Sequence, residues 1–174
     1  MDHHTFLAGT SKSKEADAYY IFHNNRFWGT LHETGITDDQ IEPEDYRRLG
    51  REYGIYLTEI VDPDQYRVAT DSDIEPHQVR DGLETLLDRI ETHAPNRLAF
   101  VGKNAATWFY RHMEGKEITH SQAPGHKTNR RNLQGLELDW DYLGLDYYLL
   151  SNTHRHWDKD VWMDFWATVK AEES

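Results

Sequence analysis

Short apolar runs that alternate with helical stripes constrain the fold of this chain more than any other feature. Runs typical of buried β-strands occupy residues 5–8, 54–61, 98–102 and 146–153. Longer segments separate them, and their apolar residues recur at helical spacing. Strands that alternate with helices usually form a mainly parallel sheet with helices on both faces. The sequence therefore predicts a three-layer α/β/α fold with one domain over residues 1–174.

The first helical stripe begins at Asn25 and stops at Gly35, a residue typical of helix C-caps. Its positions at helical spacing are Phe27, Trp28, Leu31 and His32. Large aromatic side chains are highly buried on average, so we expect Phe27 and Trp28 to pack in the core.

Two polar segments lie between the apolar ones. Residues 36–51 are expected to form a helix that is capped at Thr37 or Asp38. Residues 113–141 are expected to form a loop, and a loop of that length usually carries function or disorder. The other helices are marked by apolar spacing and lie between Pro76 and Pro95, around residues 105–112, and from Val161 to Val169.

The charge of the chain restricts the ligands that it can bind. The chain has 31 acidic and 19 basic side chains, which give a net charge of −12. Phosphate contacts require concentrated Lys and Arg, so this balance argues against a simple nucleic-acid binder. Residues 126–132 nevertheless hold three cations and no acid. A basic edge on an acidic protein would explain this composition, and so would a surface suited to a high-salt or acidic environment.

Several classes of site are excluded or unsupported. The absence of cysteine excludes disulfides, thiolate zinc sites and cysteine nucleophiles. No apolar run is long enough to span a membrane and no secretory leader is visible, so we expect a cytoplasmic protein. We also expect a monomer without a cofactor.

Two motifs for metal or nucleotide chemistry are incomplete. His154 and His156 alternate, which places both rings on one face only in a strand, and no third ligand is fixed by spacing. We therefore predict no metal site. Lys103 follows Gly102, but the spacing of a phosphate-binding loop is absent, which argues against a nucleotide hydrolase.

Polar residues follow three of the predicted strands and are the first candidates for a site. These corners are Gly9-Thr10-Ser11, Gly102-Lys103-Asn104 and Ser151-Asn152-Thr153-His154. Sheets of this kind bind ligands beyond the carboxyl ends of their strands, so we expect the three corners to meet. Residues 19–28 add aromatic and amide side chains suited to a flat heterocycle. In that segment Tyr20 could stack on a base, and Asn25 could read its edge or hold a water.

The order and the amino-acid sequence of these segments resemble those of the uracil-DNA glycosylase superfamily, particularly its mismatch-specific uracil/thymine and hypoxanthine branches. The resemblance covers most of the chain and is carried by Asn25-Arg26-Phe27-Trp28 with Leu31 and Gly35, by Gly54-Ile55 through Leu57-Thr58 with Ile60-Val61, and by Phe100-Val101-Gly102-Lys103. It implies a glycosylase that acts on DNA with a damaged or mismatched base. Uracil, hypoxanthine or thymine would be released by hydrolysis of the N-glycosidic bond of a flipped nucleotide.

The resemblance also implies roles for individual residues. Ser11 stands where the first active-site loop of the family usually has Asn, and similarity to the hypoxanthine branch makes Asn25 the substitute catalytic residue. Tyr20 would stack on the base, which Asn152, Gly9 and Thr10 would also bind. DNA contacts are expected from Lys12, Lys127, Arg130, Arg131, His154 and Arg155.

Departures from the family pattern leave a second hypothesis open. Ser11, Ser151 and His154 each replace a usual residue of the two active-site loops. Together with the acidic charge, these changes would also suit a non-catalytic glycosylase-like module that binds a nucleobase, a nucleic acid or a protein. If Asn25 caps its helix instead, the catalytic assignment fails.

Overall fold

A five-stranded sheet forms the centre of the protein. The structure is a computed structural model that describes residues 4–9, 26–61, 75–118, 136–151 and 157–173. The strands lie in the order β2-β1-β3-β5-β4, and only β4 runs antiparallel to its neighbour. The prediction of a mainly parallel sheet is therefore confirmed. The strand bounds are β1 Thr5–Gly9, β2 Ile55–Glu59, β3 Arg97–Val101, β4 Leu136–Leu138 and β5 Asp146–Leu150.

Helices cover both faces of the sheet. Alternate residues of a strand point to opposite faces, so Phe6 enters one core and Leu7 enters the other. Two helices pack on the side of Phe6 and three on the side of Leu7, which gives the predicted α/β/α arrangement. The helix bounds are α1 Phe27–Glu33, α2 Arg47–Tyr53, α3 Pro76–His93, α4 Lys103–Met113 and α5 Lys159–Glu173, of which α3 and α4 lie on the side of Phe6.

Helix α1 confirms most of its predicted stripe. Phe27 and Trp28 are buried, as expected of core residues. His32 is exposed, so its assignment to the apolar stripe is wrong. Each residue turns about 100° around a helix, and this rotation carries His32 past the buried face that ends at Leu31. Gly35 follows the C-cap with a φ of +77°, which suits its predicted role as a stop.

Neither Thr37 nor Asp38 caps a helix, so that prediction is wrong. The Thr37 hydroxyl donates to the Asp39 carbonyl at 2.8 Å, and this local bond closes a turn in place of a cap. A short 3₁₀ helix follows at Pro43–Asp45, and α2 begins only at Arg47.

The segment 113–141 is not a loop throughout, because β4 lies within it. Leu138 pairs with Tyr147, and the strand adds an antiparallel border to the parallel sheet. β4 has only three residues, so it offers too little alternation for a strand to be predicted from the sequence.

The predicted strands all exist, but three end earlier than their apolar runs suggest. β2 stops at Glu59, although Ile60 and Val61 remain buried beyond it. Gly102 leaves β3 with a φ of +93° and starts α4. β5 ends at Leu150. The polar residues of the predicted site follow these strand ends, so the ends define its position.

Candidate functional site

The four parallel strands end together at what we call the carboxyl edge of the sheet. Its last strand residues are Gly9, Glu59, Val101 and Leu150, with Gly9 opposite Glu59 and Val101 opposite Leu150. The chain passes from β1 to β2 on one side and then to β3 on the other side of β1. Open α/β sheets bind ligands at such a switch point, which here lies beside Gly9.

Among the residues to which the resemblance assigns a role in catalysis, base binding or DNA binding, Gly9 alone lies in the described part of the chain. It is half-buried, and its carbonyl accepts a hydrogen bond from the Ile60 N–H at 3.1 Å. This bond continues the pairing of β1 and β2 by one residue. The other predicted site residues fall outside the described ranges: Thr10, Ser11, Lys12, Tyr20, Asn25, Lys127, Arg130, Arg131, Asn152, His154 and Arg155.

Residues close in sequence to Asn25 and Asn152, two of the predicted site residues, both contact Trp162. The ring of Phe27, in the first turn of α1, packs edge-on against Trp162 with centroids 5.7 Å apart. The Trp162 indole N–H donates to both the carbonyl and the hydroxyl oxygen of Ser151, each at 3.0 Å. The start of α1, after Asn25, and the end of β5, before Asn152, therefore meet at Trp162. The N-cap of α1 is Arg26 rather than Asn25.

Ser151 fastens α5 to the end of β5. Its side chain is fully buried, and its hydroxyl oxygen accepts from the Asp158 N–H at 3.0 Å as well as from Trp162. A buried hydroxyl is stable only when it is hydrogen-bonded, and these contacts meet that need. The departure from the family pattern at Ser151 thus has a structural reason in this chain.

The second predicted polar corner begins α4 at the carboxyl edge. Gly102 has φ +93° and ψ 156°, a conformation that is essentially restricted to glycine. Its N–H donates to the Leu150 carbonyl at 3.0 Å, and no described atom lies within 4 Å of a Cβ built on it. Lys103 and Asn104 follow in the first turn and are half-buried. The sheet therefore brings this corner to the same edge as Gly9, as the sequence predicts.

A charged pair that the sequence did not predict lies at the carboxyl edge. Glu59 is 9% exposed, and its Oε1 lies 3.7 Å from Nη2 of Arg89 on α3. Arg89 also donates from Nη1 to the Thr58 hydroxyl at 2.7 Å. One signal was available, since Glu59 is the only charged residue in the apolar run 54–61. A buried acid usually requires a partner, so a glutamate in an apolar run indicates a buried charged pair.

Helix α3 lies unusually close to the chain beyond β2. A Cβ on Gly82 would overlap the Ile60 carbonyl oxygen, a backbone atom that cannot move aside as a flexible side chain can. Gly82 therefore permits a close approach that brings α3 against the residue after Glu59. The contact holds Ile60 in place, and the N–H of Ile60 donates to the Gly9 carbonyl.

Two general features of the described residues bear on function. No group of three or more His, Asp or Glu side chains within these ranges could hold a metal ion. His154 and His156 lie outside them. In the same part of the chain, no helix combines the length and apolar character needed to cross a membrane.

The fold is that of a three-layer α/β protein, a class in which ligands usually bind beyond the carboxyl ends of the parallel strands. A family model described as the uracil DNA glycosylase superfamily matches residues 6–168, which is most of the chain. The chain belongs to this superfamily, so the resemblance to the superfamily as a whole is confirmed. Members of the superfamily are generally DNA glycosylases.

Proposed function

We propose that the chain is a monofunctional DNA glycosylase, which hydrolyses the N-glycosidic bond of a base flipped out of DNA. The family match over residues 6–168 carries this proposal. The substrates are uracil, hypoxanthine or mismatched thymine, which are flat lactams with similar edges. Their extrusion costs a few kcal/mol and is least costly at damaged or mismatched pairs, which contributes to selectivity.

Asn25 and Ser11 are the proposed catalytic residues, and Tyr20, Asn152, Gly9 and Thr10 bind the base. The meeting of Phe27 with Trp162, which is bonded to Ser151, supports this grouping. Phe27 lies two residues after Asn25, and Ser151 lies directly before Asn152. Gly9 has no side chain, so its backbone can approach a base or sugar closely.

The chemistry requires stabilisation that increases as the bond breaks. The sugar gains positive charge while the departing base becomes anionic, so donors directed at the base oxygen act mainly in the transition state. A neutral amide such as Asn25 is a poor base but can orient the attacking water. A weak base is sufficient when stabilisation of the leaving group lowers the barrier.

DNA contacts in this proposal come from a local basic surface on an acidic protein. Binding should weaken steeply with salt, because each phosphate contact releases counterions from the DNA. The expected cytoplasmic location and monomeric state belong to the same proposal. The residues that would supply the contacts are Lys12, Lys127, Arg130, Arg131, His154 and Arg155.

A cleavage assay tests the proposal. Labelled duplexes that contain uracil, hypoxanthine or mismatched thymine are incubated with protein across a salt series and then treated with hot alkali. We expect one base to be released, with strand breaks only after alkali. Asn25→Ala should lower the rate by about 100-fold or more, as loss of a group that positions the nucleophile does. Asn24→Ala, the same change one residue earlier, is the control and should retain activity.

The opposite result has a defined meaning. If the folded wild-type protein cuts no lesion at any salt concentration, the glycosylase proposal is wrong. The chain would then be a non-catalytic member of the superfamily that binds a nucleobase, a nucleic acid or a protein.

A further inference from the structure

One side chain holds the chain at both ends of the connection between β5 and α5. The Trp162 indole N–H donates to the carbonyl and the hydroxyl oxygen of Ser151, each at 3.0 Å. The ring of Trp157 stacks on that of Trp162, with centroids 5.6 Å apart and an interplanar angle of 20°. Residues 152–156 lie between these two contacts in the sequence and include three residues of the proposed site. Trp162 therefore anchors the chain on both sides of a segment that supplies proposed ligand contacts.

Trp162 also contacts the start of α1. Phe27 packs edge-on against its ring, and Phe27 lies two residues after Asn25, the proposed catalytic residue. Trp162 is fully buried, and close packing in a protein interior holds such a ring in one orientation. A side chain that is fixed in this way and touches both segments sets their positions relative to each other.

A second tryptophan of α5 shares the packing of Trp162 but not its hydrogen bonds. Trp166 is also fully buried, and its ring lies 6.3 Å from that of Phe27. Its indole N–H has no hydrogen-bond partner among the described residues. Packing against α1 therefore does not require a bonded indole, and the bonds of Trp162 serve the end of β5.

We propose that Trp162 is a positioning residue, which holds the end of β5 and the start of α1 at the separation that base cleavage requires. This inference rests on the proposed function, because only a reaction that uses Asn25 and Asn152 together needs that separation. The bonded residue, Ser151, directly precedes Asn152. Misplacement of a reacting group by about 1 Å can cost about 100-fold in rate, so a looser strand end should slow the reaction.

Trp162→Phe tests this role, because it keeps an aromatic ring in the core but removes the N–H that bonds to Ser151. The experiment measures the single-turnover cleavage rate, well below the unfolding temperature, and the affinity for a duplex with a tetrahydrofuran abasic site. We expect the rate to fall about tenfold, because the residue before Asn152 loses its anchor. The affinity should stay within about twofold, because this duplex has no base for Asn152 to contact.

Trp166→Phe is the matched control, because it makes the same truncation on the same helix without removing a described hydrogen bond. Its cleavage rate should stay within about twofold of wild type. Equal rates for the two variants overturn the inference and leave Trp162 as a packing residue. A loss of affinity as large as the loss of rate also overturns it, since the defect would then lie in DNA binding.

Two further outcomes are defined in advance. If Trp162→Phe does not fold, benzothienylalanine at position 162 gives the same test, because it replaces the indole N–H by sulfur in a ring system of nearly the same shape. A wild-type protein that cleaves none of the lesions contradicts the proposed function itself, and the inference falls with it.

Discussion

The two edges of the sheet are built from the same strands but are closed in different ways. We call the edge opposite the carboxyl edge the amino edge. There Arg97 is almost fully buried, donates to the Thr5 hydroxyl at 2.6 Å and pairs with Glu172 near the end of α5. Backbone bonds add to this closure, since the N–H groups of Thr5 and Arg97 donate to Gly54 and His4. The amino edge joins the first strand to the last helix.

At the carboxyl edge, β1 ends in a glycine and β3 is followed by one, and a charged pair lies at the end of β2. Gly102 has open space where a Cβ would stand, and Glu59 and Arg89 bring charge. Its hydrogen bonds fix strand ends and helix starts, as Ser151 does for α5. We therefore propose that the amino edge supports the fold and that the carboxyl edge binds ligands.

Gly82→Ala should have the largest effect on stability. The added methyl group would overlap the Ile60 carbonyl, so α3 must move away from the carboxyl edge, at a cost of about 3 kcal/mol in the free energy of unfolding. Urea denaturation measures it. Gly29→Ala is the control, because this exposed helical site has no atom nearby and should gain up to about 1 kcal/mol. Equal effects at the two sites would show that the close approach is unimportant.

Arg97→Met should destabilise the protein by about 2 kcal/mol, because it removes both the ion pair of the buried guanidinium with Glu172 and the hydrogen bond that Arg97 donates to Thr5. Glu172 is partly exposed, and this limits the loss. The single-turnover cleavage rate should remain within about twofold of wild type at temperatures well below unfolding. If the cleavage rate falls while the protein stays folded, the amino edge also contributes to activity, and the assignment of separate roles to the two edges is wrong.

Ser151→Ala should cost about 1.5 kcal/mol, because the Asp158 N–H loses its acceptor and Trp162 keeps only the carbonyl. Thermal unfolding measures the change. Thr85→Ala removes an exposed hydroxyl that bonds only within α3, and it should be nearly neutral. A neutral result for Ser151→Ala would mean that this hydroxyl does not anchor α5.

The smallest effect is expected at Arg48, which belongs to neither edge. Its guanidinium holds the pKa values of Asp39 and Glu52 below their ordinary values of 3.8 and 4.5. Depressed values stabilise the fold above the ordinary pKa and lose this effect as pH falls through the lowered values. Arg48→Met should therefore be slightly less stable than wild type at neutral pH, and the gap should close in acid. A gap that is constant from pH 7 to 3 would contradict this account.

The sequence predicted the elements that have strong periodicity. The parallel strands and α3 rest on apolar runs bounded by glycine or proline, and Phe27 and Trp28 pack as expected. Local bonding explains the failure at Thr37, whose hydroxyl closes a turn. Pairing across the chain explains β4, which exists because Tyr148 and its neighbours in β5 present an open edge. The three residues of β4 alone carry no pattern that would indicate pairing with β5.

For the site, the sequence indicated the edge but not all of its chemistry. The corners at Gly9 and Gly102 could be found because they follow apolar runs. The relation of Glu59 to Arg89 joins residues 30 positions apart and depends on how α3 packs. Likewise, the role of Ser151 depends on Trp162, which lies in another element. Contacts of this kind come from tertiary packing rather than from local pattern.

Hydrogen–deuterium exchange tests most directly which edge binds DNA. The protein would be compared alone and with a duplex that contains a tetrahydrofuran abasic site. We predict slower exchange after DNA binding in peptides that cover the strand ends at Gly9, Glu59, Gly102 and Ser151, with little change around Thr5 and Arg97. Protection confined to the amino edge would contradict the assignment of the site.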